Sequence, residues 1–240
     1  MIVAVTADIV GSRALPDRAA AQRALEDAIA RVDADLPGAI RTLTPTVGDE
    51  LQGIYPTLEA ALAALLLLRL ALPDGIDCRF GVGIGEVGTV PSRSGGIAEG
   101  PGWWAARDAI DALHAAQVRT MPAVRTWIAA SSDDPRNDDP RAADPRAADP
   151  RNADPRAADP RDDDPRDAVR LANAYVWARD ELVSAMTERT RRLVYGRCLG
   201  RTQRALAEEE GITQSAVSQL LTSAGGAAVV AGFHALVGTR

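Results

Sequence analysis

Between Asp134 and Arg166 the triplet Asp-Pro-Arg recurs seven times at intervals of five residues. A proline at every fifth position removes a backbone donor and steers the preceding residue away from helix. The stretch has almost no large apolar side chain, so burial cannot offset the entropy of ordering it. Residues 132–166 are therefore expected to form a solvated, disordered linker, extended in part as polyproline II. At 46% hydrophobic, 240 residues can bury a core in one large domain or two modest ones. The repeat favours two, at 1–131 and 167–240.

The formal charge of −6 is unevenly spread. Residues 1–131 carry 15 acids and 11 arginines (−4), residues 132–168 carry 12 and 7 (−5), and residues 169–240 carry 6 and 9 (+3). Only the last part is basic, which agrees with a nucleic-acid partner for it. The two cysteines, Cys78 and Cys198, lie far apart without metal-ligand spacing, which suits a reducing compartment. The start has no basic segment and reaches Asp8 within eight residues, a poor signal peptide. The most apolar run, 60–72, contains Arg69 and is shorter than the ~20 residues a bilayer requires. A cytoplasmic protein with no membrane partner is expected.

Ahead of the repeat, the apolar periodicity alternates between two and 3.6. Strands are expected at 2–9, 41–46, 51–55, 78–87 and 124–130, with helices at 16–32, 57–72 and 102–118. This order, with a central hairpin turning at 47–50, predicts an α+β, ferredoxin-like sheet domain. After the repeat the pattern is all helical, with helices at 167–186 and 187–199 and a final pair.

That final pair, 203–220, meets the steric demands of a helix-turn-helix. Ala207 is small where two helices approach, Gly211 sits where the turn needs positive φ, and Leu206, Ile212, Val217 and Leu220 fill the wedge. The second helix opens with Thr213, Gln214 and Ser215 and continues to Ser218 and Gln219, short polar side chains suited to base edges. Arg201 and Arg204 can reach phosphates, although Glu208, Glu209 and Glu210 stand on the first helix. The stretch resembles the helix-turn-helix of MarR-like regulators and of sigma factor region 4, over about 35 residues. DNA is the expected partner, and a homodimer follows from the usual reading of paired half-sites.

In the first part, Asp8 ends a strand and is followed by the turn Gly11-Ser12-Arg13, while Asp49 and Glu50 mark the hairpin tip. If the first two strands are neighbours, Asp8 and Asp49 can converge on a hard cation such as Mg²⁺ carrying a nucleotide, with Gly11, Ser12 and Arg13 as the nucleotide-binding turn. Gly81, Gly83 and Gly85 alternate along one strand and leave one sheet face bare, for a helix or a ligand. Trp103 and Trp104 open a helix as core anchors, and His114 and His234 have no partner at ligand spacing.

Asp8-Ile9-Val10-Gly11, Gly48-Asp49, Gly83-Ile84-Gly85-Glu86-Val87 and Ala105-Ala106-Arg107 resemble the pattern of class III nucleotidyl cyclases, over about 110 residues. The resemblance implies metal binding by Asp8 and Asp49 and a phosphate-stabilising role for Arg107, hence Mg²⁺ with a nucleotide as cofactor. It departs where Pro45 replaces the family's purine-reading lysine and Trp103 its asparagine, and residues 94–99 hold no equivalent of its purine-contacting aspartate. A degenerate cyclase is implied. Asp8-Ile-Val-Gly-Ser-Arg13, Asp17-Arg18, Gly48-Asp-Glu-Leu-Gln-Gly53 and Gly100-Pro-Gly-Trp-Trp-Ala-Ala-Arg-Asp-Ala-Ile110 resemble the SatD family, bacterial proteins that join such a domain to a C-terminal helix-turn-helix. The expectation is a DNA-binding transcriptional regulator with a ligand-sensing, catalytically degenerate domain. The rival is an active cyclase or nucleotide hydrolase using Asp8, Asp49 and Arg107, so the question of enzyme activity stays open.

Overall fold

A computed structural model describes residues 2–46, 48–92, 95–131 and 165–238. The expected linker falls almost wholly outside the described residues.

Among the described residues seven strands are formed: β1 (Val3–Ile9), β2 (Arg41–Pro45), β3 (Leu51–Tyr55), β4 (Cys78–Ile84), β5 (Gly88–Ser92), β6 (Gly95–Glu99) and β7 (Thr126–Ala130). Five make a mixed sheet in the order β2-β3-β1-β4-β7, antiparallel except for the parallel pair β4–β7. The β2–β3 hairpin lies directly beside β1, with Ala7 opposite Leu51. The β5–β6 hairpin had no counterpart in the expected elements.

Helix α1 (Arg18–Asp35) is capped by Asp17, and α2 (Leu58–Ala71) by Thr57, whose hydroxyl accepts from the Ala60 N–H at 3.1 Å. Helix α3 (Pro101–Arg119) lies on the opposite face of the sheet, the one the alternate glycines leave bare. A Cβ on Gly83 would stand 2.0 Å from the Gly102 carbonyl and 2.4 Å from the Ala106 nitrogen, so the helix backbone occupies the space of the missing side chains. Of the two tryptophans expected as anchors, Trp103 is buried but Trp104 is 58% exposed.

Beyond the repeat come α4 (Pro165–Ser184), α5 (Glu188–Cys198), α6 (Gln203–Glu210), α7 (Gln214–Ser223) and α8 (Gly226–Leu236). Gly211, between α6 and α7, has φ of 64°, the left-handed conformation that glycine adopts without steric cost. These helices do not stand apart from the sheet. Every residue of α2 from Ala61 to Leu70 is buried, and a helix apolar all round needs cover on all sides. The sheet and α1 cover one side, α5 and α8 the other. Val5, Leu66, Leu193 and Phe233 consequently belong to one continuous core.

Helix α4 lies along β7, the outer strand of the sheet. The Asn173 amide accepts from the Ile128 N–H at 2.9 Å and donates to the Ile128 carbonyl at 2.8 Å, and Arg179 donates to the Thr126 hydroxyl at 2.8 Å. An otherwise open sheet edge is thereby satisfied by side chains. Below it, the fully buried Asp180 carboxylate takes Arg69 at 3.0 Å, Arg179 at 2.9 Å and the Arg125 N–H at 2.8 Å. Burial pushes this carboxyl up, but the two guanidiniums and the backbone donor outweigh burial and hold it below the usual range. Among the described residues no single helix is long and apolar enough to cross a membrane. Both cysteines are buried and unpaired with each other.

Candidate functional site

Strand alternation decides where the acids go. Residues 4, 6 and 8 of β1 share the face under α3, and Ala7 stands opposite Leu51, so continuing the register by one residue sets Asp8 across from Glu50. Their partners agree with this. Arg79 Nε and Nη2 donate to the two Asp8 oxygens at 2.8 and 3.0 Å, and His114 Nε2 on α3 lies 3.4 Å from the same carboxylate. Arg79 Nη1 also donates to His114 Nδ1 at 2.7 Å. Because a guanidinium has only donors, Nδ1 accepts, and the proton of a neutral imidazole sits on Nε2, toward Asp8. Glu50 takes Arg107 of α3 at 2.9 Å. The sheet face under α3 therefore carries two carboxylates, each matched by an arginine.

Asp49 keeps different company. Its carboxyl is drawn below the usual range by the Ser12 hydroxyl, against some desolvation, with Arg18 and Arg13 adding to the effect. It borders a cavity of about 280 Å³ with Ser12, Leu15, Arg18 and Gln22, between the turn after β1, the start of α1 and the hairpin tip. Gly11 begins that turn with φ of 66°. Of the expected nucleotide-binding residues, Ser12 thus reaches the cavity, Arg13 acts on Asp49 through its charge, and Arg107 is paired elsewhere.

A Mg²⁺ ion shared by Asp8 and Asp49 needs both carboxylates free and convergent. Asp8 is held by a two-point arginine contact and Asp49 is turned to Ser12. Among the described residues no group of three or more His, Cys, Asp or Glu side chains could hold a metal. As placed, these residues do not fit the expected cation site. Arg79 is the residue missed in the sequence; Glu50 is expected there only as a hairpin-tip acid, and His114, expected to lack a partner, faces Asp8 and Arg79. Glu50 was next to the singled-out acid, and the register of β1 with β3 was the signal that distinguished the two.

On the C-terminal helices, Gln214, Ser215, Ser218 and Gln219 are all exposed, while Val217 and Leu221 turn inward. Thr213 caps α7, its hydroxyl accepting from the Ala216 N–H at 3.2 Å. Arg201 and Arg204 are each held by an acid, Glu209 at 2.5 Å and Glu208 at 3.1 Å.

No curated protein matches the chain. Among solved structures it is weakly similar to a bacterial light-regulated adenylyl cyclase, at 14% identity over 53% of this chain and 74% of the other, with a TM-score of 0.39. In a second structure of such an enzyme, with the same identity and TM-score, it spans only 42% of the other chain. It is also similar to the guanylyl cyclase Cya2 (16% identity, 46% of this chain, 69% of that one, TM-score 0.35) and to the adenylyl cyclase CyaB from P. aeruginosa (15%, 46%, 71%, 0.35). A family model described as the SatD family matches residues 2–135. More than half of the sequence lies within that match, and the chain belongs to the SatD family.

Proposed function

We propose that this chain is a DNA-binding regulator in which α7 reads the major groove and the N-terminal domain senses a small ligand. The observation that carries the reading is the outward face of α7. Its exposed side chains are short, polar and uncharged, its inner face is apolar and buried, and its first turn is capped and free of acids. Such a helix can enter a groove with Gln214 and Ser215 leading, and glutamine is suited to adenine edges. The ion pairs of Arg201 and Arg204 are a small obstacle. Exposed pairs of this kind are worth about 0–1 kcal/mol, so a phosphate can replace the glutamates.

Sensing falls to the cavity beside Ser12, Arg18 and Asp49, where the turn after β1 meets the hairpin. The shared core around α2 supports mechanical coupling, because the helices beneath α7 rest on the same helix as the sheet. The rival enzyme reading is less well supported, since Asp8 and Arg107 are engaged by Arg79 and Glu50.

The test is selection of duplexes by the full chain from a random DNA library, followed by titration at several salt concentrations. A recovered motif whose preference disappears in the Gln214→Ala/Ser215→Ala double variant, with weak salt-dependent binding remaining, is the expected result. If the wild-type chain shows no sequence preference, the reading is wrong.

A further inference from the structure

A second cavity, of about 310 Å³, lies at the junction between the sheet domain and the C-terminal helices. Arg69 of α2, Arg125 before β7 and Arg191 of α5 line it, with Asp74, Asp77 and Ser184. Its size is at the lower end for small-molecule sites.

The charges around it do not cancel. Asp77 takes Arg125 at 2.7 Å and stands 3.4 Å from Arg69, and Asp74 takes Arg191 at 2.8 Å. Asp180 also faces Arg69, but Arg179, which is outside the lining, already balances it. Three guanidiniums therefore line the cavity against two carboxylates.

The hydrogen bonding is incomplete as well. Arg69 is almost fully buried, and of its three nitrogens only Nη2 makes a hydrogen bond, to the Ser184 hydroxyl at 3.0 Å. Its Nη1 stands 3.0 Å from Asp180 and its Nε 3.4 Å from Asp77, so the buried donor left with neither a hydrogen bond nor an ion pair is Arg191 Nε. Buried donors in native proteins nearly always find a partner, so a surplus here calls for an acceptor.

We propose that the cavity between Arg69, Arg125 and Arg191 is a binding site for a small phosphate-bearing anion that ties the C-terminal helices to the sheet domain. An oxyanion supplies the missing negative charge and several acceptors, and guanidiniums match its geometry. The site is built from both sides of the repeat: the sheet domain provides Arg69 and Arg125, and the C-terminal helices provide Ser184 and Arg191. A ligand there stabilises the docked arrangement by mass action. The inference holds whether or not α7 reads DNA.

The experiment titrates inorganic phosphate and, separately, AMP into the full chain at constant ionic strength, with chloride as the balancing anion, and follows calorimetric binding and Tm. Saturable binding is expected, weakened at least tenfold in Arg191→Gln and strengthened severalfold in Asp74→Asn, which removes an exposed acid from the rim. The second variant serves even if the first folds poorly. Equal affinity for the two probes means that the oxyanion alone is recognised, and tighter AMP binding means a nucleotide; either supports the site. No saturable binding of either probe overturns it. So does affinity that is unchanged in both variants, or that falls in Arg18→Gln but not in Arg191→Gln, which assigns the anion to the cavity beside Asp49.

Discussion

Asn173 on α4 pairs with Ile128 on β7 as a neighbouring strand would, accepting from its N–H and donating to its carbonyl. Both residues are buried, so nothing else is at hand to satisfy that peptide. Replacing Asn173 with Leu leaves two buried backbone groups unpaired and is expected to cost on the order of 3 kcal/mol. Urea denaturation measures it, and a loss below about 1 kcal/mol would show that α4 is not what closes the edge.

Gly83 marks the closest approach of β4 and α3. An alanine there drives a methyl group into the helix backbone at Gly102 and Ala106, neither of which can rotate away. Gly83→Ala is expected to destabilise by at least about 3 kcal/mol. An alanine at the exposed Val118 on the same helix meets no such clash, so the contrast in Tm isolates the packing effect.

The Asp180 carboxyl titrates below its unfolded value of about 3.9 because Arg179, Arg69 and the Arg125 N–H outweigh its burial. A depressed folded pKa gives stability that is complete above the unfolded pKa and is lost as pH falls through the folded one. Asp180→Asn is therefore expected to cost about 3–5 kcal/mol at pH 7. The gap from wild type should narrow below about pH 4. Denaturant titrations between pH 7 and pH 2 check this, and a gap constant with pH would mean that the carboxylate charge contributes nothing.

Asp8 is engaged by an arginine and not placed for a cation. Asp8→Asn removes the charge facing Arg79 and is expected to cost about 1–3 kcal/mol, by the same amount in Mg²⁺ as in EDTA. Thermal unfolding in the two buffers decides it. A Mg²⁺-dependent stabilisation of the wild type that Asp8→Asn abolishes would restore the metal reading.

Much of the first 131 residues was legible because local pattern and tertiary role coincide there. Alternation in β1, the Thr57 cap and the glycines at 81 and 83 each announce a local geometry that the fold then uses. The site was less legible because it depends on register. Whether Asp49 or Glu50 shares a face with Asp8 turns on a one-residue offset across β1 and β3, which no single segment encodes. The association of the two ends of the chain was encoded, in a place easily passed over. A helix whose ten consecutive residues from Ala61 to Leu70 are buried cannot be covered by one sheet face, and Arg69 within it needs a buried acid. Asp180 answers it from more than a hundred residues away, a pairing that only the folded chain discloses.

Helix α4 begins at Pro165 and lies along β7, the strand that ends at Ala130 just before the repeat. The strand before the tract and the helix after it thus belong to a single body, so joining them costs the closing of a ring and not the docking of two separate molecules. That term grows with the logarithm of length, about 0.6 kcal/mol for each doubling. On that term alone, adding or removing one five-residue repeat shifts the stability of the body by well under about 0.6 kcal/mol.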